Sequence, residues 1–103
     1  MAKKTTDALD ILRRREADDP ELRAMIDEEI LNAEIAQLIY DARTAAGLTQ
    51  KELADLVATS QPTIARLEDT DYDGHSLTML RRIAVALGMR LELRFVPGDQ
   101  EAA

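Results

Sequence analysis

The sequence predicts a small all-α domain. Aromatic residues make up only 3% of the 103 residues, and Leu, Ile and Ala supply the apolar content. A β-sandwich draws its core from aromatic and β-branched side chains instead. Helix-start signals at Asp19-Pro20, Thr49-x-x-Glu52, Ser60 and Ser76 each precede an apolar stripe. Hydrophobic residues reach 46% of the chain, enough for one domain with a modest core and too many for a disordered tail.

Residues 1–18 carry Leu9, Ile11 and Leu12 ahead of Arg13-Arg14-Arg15, a short helix capped by Thr5 or Thr6. Acids Asp7, Asp10, Glu16, Asp18 and Asp19 surround the arginines, so the triplet reads as a solvated face. Asp19 then caps a helix with Pro20 at its first position and Glu21 at the positive end of the dipole. No breaker follows until Gly47, so this helix is expected from Pro20 to Ala46. Its second half shows the stripe Ile35, Leu38, Ile39, Ala42 and Ala46. Its first half, with Leu22, Met25, Ile26 and Ile30, is expected to project or to pack on a partner.

Thr49 and Glu52 form a capping box ahead of Leu53, Ala54, Leu56 and Val57. Ala58-Thr59-Ser60 interrupts that helix, and Ser60 caps the next, with Pro62 in its first turn. The connector Glu68–Ser76 contains Asp69, Asp71, Asp73 and Gly74, the first half of a calcium loop. The bidentate ligand of such a loop belongs at its twelfth place, which is Leu80. No metal and no cofactor are expected. Ser76 caps a final helix with Leu77, Leu80, Ile83, Ala84 and Leu87, closed by Gly88.

After Gly88 the pattern changes to period two. Leu91, Leu93 and Phe95 alternate with Arg90, Glu92 and Arg94, which reads as a strand. A lone strand needs a partner for its backbone groups, and the same strand of a second copy is the economical one. The dimerising residues are then Leu91, Glu92, Leu93, Arg94 and Phe95. A register centred on Leu93 sets Glu92 against the partner's Arg94. The chain thus divides into a helical extension (1–31), a core domain (32–88), a dimerisation strand (89–98) and a tail (99–103).

The formal charge of −7 argues against a protein that coats nucleic acid by electrostatics. A local basic face survives in Arg81, Arg82, Arg90 and Arg94. There is no cysteine, so disulfides and thiolate zinc are excluded, and His75 stands alone. No nucleophile–base pair or phosphate loop is visible, so no enzymatic activity is expected. With no signal peptide or apolar run of about 18 residues, a cytoplasmic location is expected.

Two short helices, Gln50–Val57 and Gln61–Asp69, joined by Ala58-Thr59-Ser60, outline a helix-turn-helix. The N-terminal end of the second helix of such a pair reads base edges in the major groove. Gln61 suits adenine, Thr63 a thymine methyl or a phosphate, Arg66 guanine or phosphate, and Gln50 a phosphate. The segment GLTQKELADLVATSQPTIARLE, Gly47 to Glu68, closely resembles the lambdoid phage repressor and Cro family, also called the XRE family. The resemblance covers roughly residues 32–88. It implies a lambda-repressor-like fold, an Arg43–Glu68 ion pair, and DNA-facing positions at Gln50, Ser60, Gln61, Pro62, Thr63 and Arg66. The family's turn begins with Gly where this chain has Ala58, so the turn is either strained or avoids positive φ.

The helical extension, this core and the ending ALGMRLELRF (Ala86 to Phe95) together resemble HigA-type antitoxins. That likeness implies a homodimer that represses its own promoter and neutralises a small basic ribonuclease toxin. The alternatives are a stand-alone regulator of the XRE type and a protein-interaction module without DNA.

Overall fold

The computed structural model describes Ile11 and residues 19–98. The expectations for the helix within residues 1–18, for the Arg13–Arg15 triplet and for the tail 99–103 lie outside the described residues. Among the described residues the order is α1 (Pro20–Ala45), α2 (Gln50–Leu56), α3 (Gln61–Leu67) and α4 (Leu77–Ala86).

Each helix begins where a side chain satisfies the free N–H groups of its first turn. Asp19 accepts from the amides of Glu21 and Leu22, both at 3.1 Å. Thr49 and Glu52 complete a reciprocal capping box, with Oγ1 accepting at 3.0 Å and Oε1 at 2.8 Å. Ser60 accepts from Thr63 N–H, and Ser76 from Met79 N–H.

Three of the four helices end in one motif. After α1, Gly47 N–H donates to Thr44 C=O and Leu48 N–H to Arg43 C=O, with Gly47 at φ +74°. After α4, Gly88 N–H donates to Val85 C=O and Met89 N–H to Ala84 C=O, with Gly88 at φ +72°. These are Schellman caps, which need a left-handed residue just past the helix. After α2 the same two bonds recur, Ala58 to Asp55 and Thr59 to Ala54. The left-handed residue there is Ala58, at φ +58°. The turn therefore keeps the geometry a glycine would adopt and carries the strain of a Cβ in it.

The core gathers Ile39 of α1, Leu53, Ala54 and Val57 of α2 and its cap, Ile64 and Leu67 of α3, and Ile83 of α4. Leu53 and Ile64 are wholly buried, and each such side chain stabilises by roughly 1.5–3 kcal/mol through the area it removes from water. Tyr72, from the acidic connector, packs partly buried against this cluster, and its hydroxyl donates to Gly74 C=O. His75 is held there too. Its Nε2 lies 2.7 Å from Leu67 C=O, the last residue of α3. Since the carbonyl can only accept, Nε2 is the protonated nitrogen.

Several stripe residues stay outside the core, among them Leu56 and Leu77, and no strand forms among the described residues of the single chain. Leu38 is not in the core: it is 55% exposed, on the outer side of α1 beside the buried Ile39. The strand expected within 89–98, with Leu91, Glu92, Leu93, Arg94 and Phe95, is not formed. A strand exists only as half of a ladder, and no strand is present among the described residues to supply the other half. Leu93, Phe95 and Val96 are exposed as a result.

Candidate DNA interface

The site is built on α2, the Ala58–Ser60 turn and α3. Ile64 and Leu67 anchor one side of α3 in the core, which leaves Gln61, Pro62 and Arg66 outward, with Thr63 half-buried. Pro62 fixes its own φ in the first helical turn, where a missing N–H costs no hydrogen bond. Ser60 Oγ is both the cap of α3 and a partner of Thr63 Oγ1 at 2.8 Å. The two hydroxyls are thus held together at the exposed start of the helix.

The support for this surface comes from behind it. Arg43 of α1 donates from Nε to Glu68 Oε2 at 2.6 Å and from Nη2 to Glu68 Oε1 at 3.0 Å. Its Nη1 donates to Leu48 C=O at 2.8 Å, and its guanidinium lies 5.3 Å from the centre of the Tyr40 ring. Only 10% of the Arg43 side chain and 4% of the Glu68 side chain remain exposed. The hydrogen bond to Glu68 raises the Arg43 pKa, against a desolvation that lowers it. This bidentate pair ties the end of α3 to α1 and to the loop ahead of α2.

Glu68 does more than pair with Arg43. Its Oε1 also accepts from Gln50 Nε2 at 3.0 Å, and Gln50 Oε1 accepts from Gln61 Nε2 at 2.6 Å. The direction of this relay is forced. A carboxylate only accepts, so Gln50 must turn its amide nitrogen inward and its oxygen outward. Gln61 must then donate to that oxygen. One N–H and the Oε1 of Gln61 are left facing solvent, the donor–acceptor pair that matches adenine N7 and N6. One N–H of Gln50 is left as well, a donor for a phosphate.

Arg66 is exposed and forms no ion pair among the described residues. It is the only charged residue within α3. Of the acids that follow the helix, Glu68 is committed to Arg43 and Gln50, and Asp69 Oδ1 accepts from the Asp71 N–H at 2.9 Å. The family resemblance implied the Arg43–Glu68 pair, and the sequence named Gln50 and Gln61 separately. Reasoning from sequence missed that Glu68 links Arg43 to Gln50 and, through Gln50, to Gln61. It also missed His75 and Tyr72 as supports beneath the far end of α3; an aromatic and a His inside an acidic connector were the available signal.

A comparison with protein families matches residues 17–95 to the helix-turn-helix domain family. No curated protein matches. Among solved structures, the chain is similar to "Crystal Structure of FeII HppE in Complex with Substrate form 1", with 30% identity and a TM-score of 0.53. That match covers 57% of this chain and 34% of the other. A second, "Crystal Structure of Apo-HppE", matches at 30% identity and TM-score 0.52, over 57% and 33% of the two chains. The chain thus spans about a third of the length of these structures. The family match extends over most of the sequence and includes every residue of the α2–turn–α3 unit, so this chain belongs to the helix-turn-helix domain family.

Proposed function

We propose that this chain is a sequence-specific DNA-binding repressor that acts as a homodimer on a two-fold-symmetric operator. The observation that carries the reading is the Arg43–Glu68–Gln50–Gln61 relay. It fixes two side-chain amides in defined orientations, Gln61 at the exposed start of α3 and the half-buried Gln50 at the start of α2. Gln61 reads adenine through its free N–H and Oε1, and Gln50 holds a phosphate. Ser60 and Thr63 present hydroxyls to the backbone or to a thymine methyl, Pro62 packs beside them, and Arg66 takes a guanine or phosphate.

In this reading, residues 91–95 of two copies pair antiparallel about Leu93, with Glu92 across from the partner's Arg94. The exposed Leu93 and Phe95 support it, because each side chain has apolar surface to bury on pairing. The protein is not an enzyme in this reading and works in the cytoplasm without a cofactor. No helix among the described residues is long and apolar enough to cross a membrane. The iron and substrate in the titles of the similar structures are not carried over. No group of three His, Cys, Asp or Glu suited to a metal gathers among the described residues, and two thirds of those chains have no counterpart here.

Within DNA binding we favour an antitoxin that represses its own operon. Its support is the acidic balance of the chain, which complements a small basic toxin. Co-purification with a small basic protein encoded in a neighbouring reading frame tests it; without such a partner the chain is a stand-alone regulator. DNA binding itself is tested by a gel shift on the DNA upstream of the gene. Gln61→Ala is expected to weaken specific binding by ~1–3 kcal/mol. Unchanged affinity would remove Gln61 from the interface.

A further inference from the structure

The outer side of α1 carries a second pattern that the DNA site does not use. Ala24, Leu31, Leu38 and Ala45 recur every seven residues, with Ala42 beside them. Seven residues are nearly two helical turns, so these positions form one seam along the helix. Leu31 and Leu38 are each 55% exposed. Asp27, Glu34 and Asp41 recur at the same interval, all exposed, and run as a carboxylate row along one edge of the seam. The C-terminal end of the seam opens into a groove where Leu38 and Ala42 face Leu80, Leu87, Met89 and Leu91, and where Arg90 and Glu92 add one charge of each sign. The groove measures about 210 Å³, below the ~300–1,000 Å³ of small-molecule sites and suited to an anchoring side chain.

We propose that this seam and its groove are a docking surface for a basic amphipathic helix of a second protein. The apolar stripe and the seven-residue period fit one helix lying along another. The carboxylate row selects its charge. A second copy of this chain is disfavoured on this face, because antiparallel pairing would bring each row of acids against the other. DNA and anionic membranes are repelled for the same reason. The seam is independent of the DNA reading, while the groove shares Leu91 with the proposed strand pair. In the antitoxin reading this surface is the seat of the toxin, and only that identification rests on the reading.

The test uses the full chain and a synthetic cationic helix, with leucines at alternating three- and four-residue spacing and lysines beside them. A counterpart carries glutamates in place of the lysines. Fluorescence anisotropy is expected to show micromolar binding of the cationic peptide alone, weakening as salt rises. Leu31→Ser with Leu38→Ser is expected to reduce affinity at least about tenfold, and Asp27→Asn with Glu34→Gln to flatten the salt dependence. Glu29→Gln, on the opposite side of α1, leaves both unchanged. Hydrogen exchange on the unaltered protein gives a readout free of folding effects, with added protection confined to residues 24–45 and the groove. Absence of binding, equal binding of the acidic peptide, insensitivity to the serine variants, or a Glu29→Gln effect as large as theirs would overturn the proposal. The same serine variants retain operator binding if the DNA reading holds, so the two readings fail separately.

Discussion

Removing the Glu68 carboxylate strikes the fold and the interface together. In Glu68→Ala, Arg43 loses both bonds of a bidentate pair in which the side chains are only 10% and 4% exposed. Breaking a buried pair from one side costs ~3–5 kcal/mol, because the remaining charge is left without compensation. Arg43 keeps two contacts, the hydrogen bond to Leu48 C=O and the face of Tyr40. Those retained contacts bring the expected cost down to ~2–3 kcal/mol. For a domain of this size that lowers Tm by ~8–24 °C. Urea unfolding followed by circular dichroism measures it directly. Arg43→Met combined with Glu68→Leu leaves no buried charge and is expected to cost ~1 kcal/mol or less. The raised Arg43 pKa fixes the pH dependence. Stability contributed on the Arg43 side is fully present below the ordinary arginine value and is lost only as pH rises through the raised one. Between pH 7 and 10 the Glu68→Ala deficit should therefore stay constant. A deficit under about 0.5 kcal/mol, or a double variant less stable than Glu68→Ala, would refute the reasoning.

Other expectations follow from single positions. Ala58→Gly removes a Cβ from a left-handed residue (φ +58°) and should stabilise by ~0.5–1 kcal/mol, the relief of strain exceeding the entropy gained by the unfolded chain; an unchanged or lower urea midpoint would count against a strained turn. Gly74→Ala sets a Cβ against the Tyr72 ring and hydroxyl, so the ring must leave its place on the core, at a cost of ~1–3 kcal/mol read by the same unfolding curve. Leu93→Arg places like charges at the centre of the proposed strand pair and should shift the species in analytical ultracentrifugation from dimer to monomer. A wild-type monomer, or a dimer insensitive to this change, would contradict strand pairing.

Features encoded within a few residues were legible in the sequence. The caps at Asp19, Thr49, Ser60 and Ser76, and the stops at Gly47 and Gly88, each follow from one side chain and its nearest amides or carbonyls. The Arg43–Glu68 pair came from resemblance, since two charges 25 residues apart carry no local signal. Features set by tertiary context were not legible. Helical spacing places Leu38 one step from Ile39 and cannot decide which of them is buried in the core. Positive φ at Ala58 is imposed by the two carbonyls of α2 that its turn must satisfy, against the residue's own preference. A strand pattern over 91–95 describes a segment ready to pair, and pairing depends on a second chain. The Gln50–Gln61 contact required knowing how α2 crosses α3.

The most direct test of the central claim is quantitative binding of the full chain to its upstream DNA, compared with Gln61→Ala and with scrambled DNA at the same moderate salt. An acidic protein has little non-specific attraction to draw on, so specific binding should rest on the oriented amides. The expected result is tight binding to the upstream site, weak binding to scrambled DNA, and a loss of ~1–3 kcal/mol on Gln61→Ala confined to the specific site. Equal binding to both DNAs, or an unchanged affinity without Gln61, would contradict it.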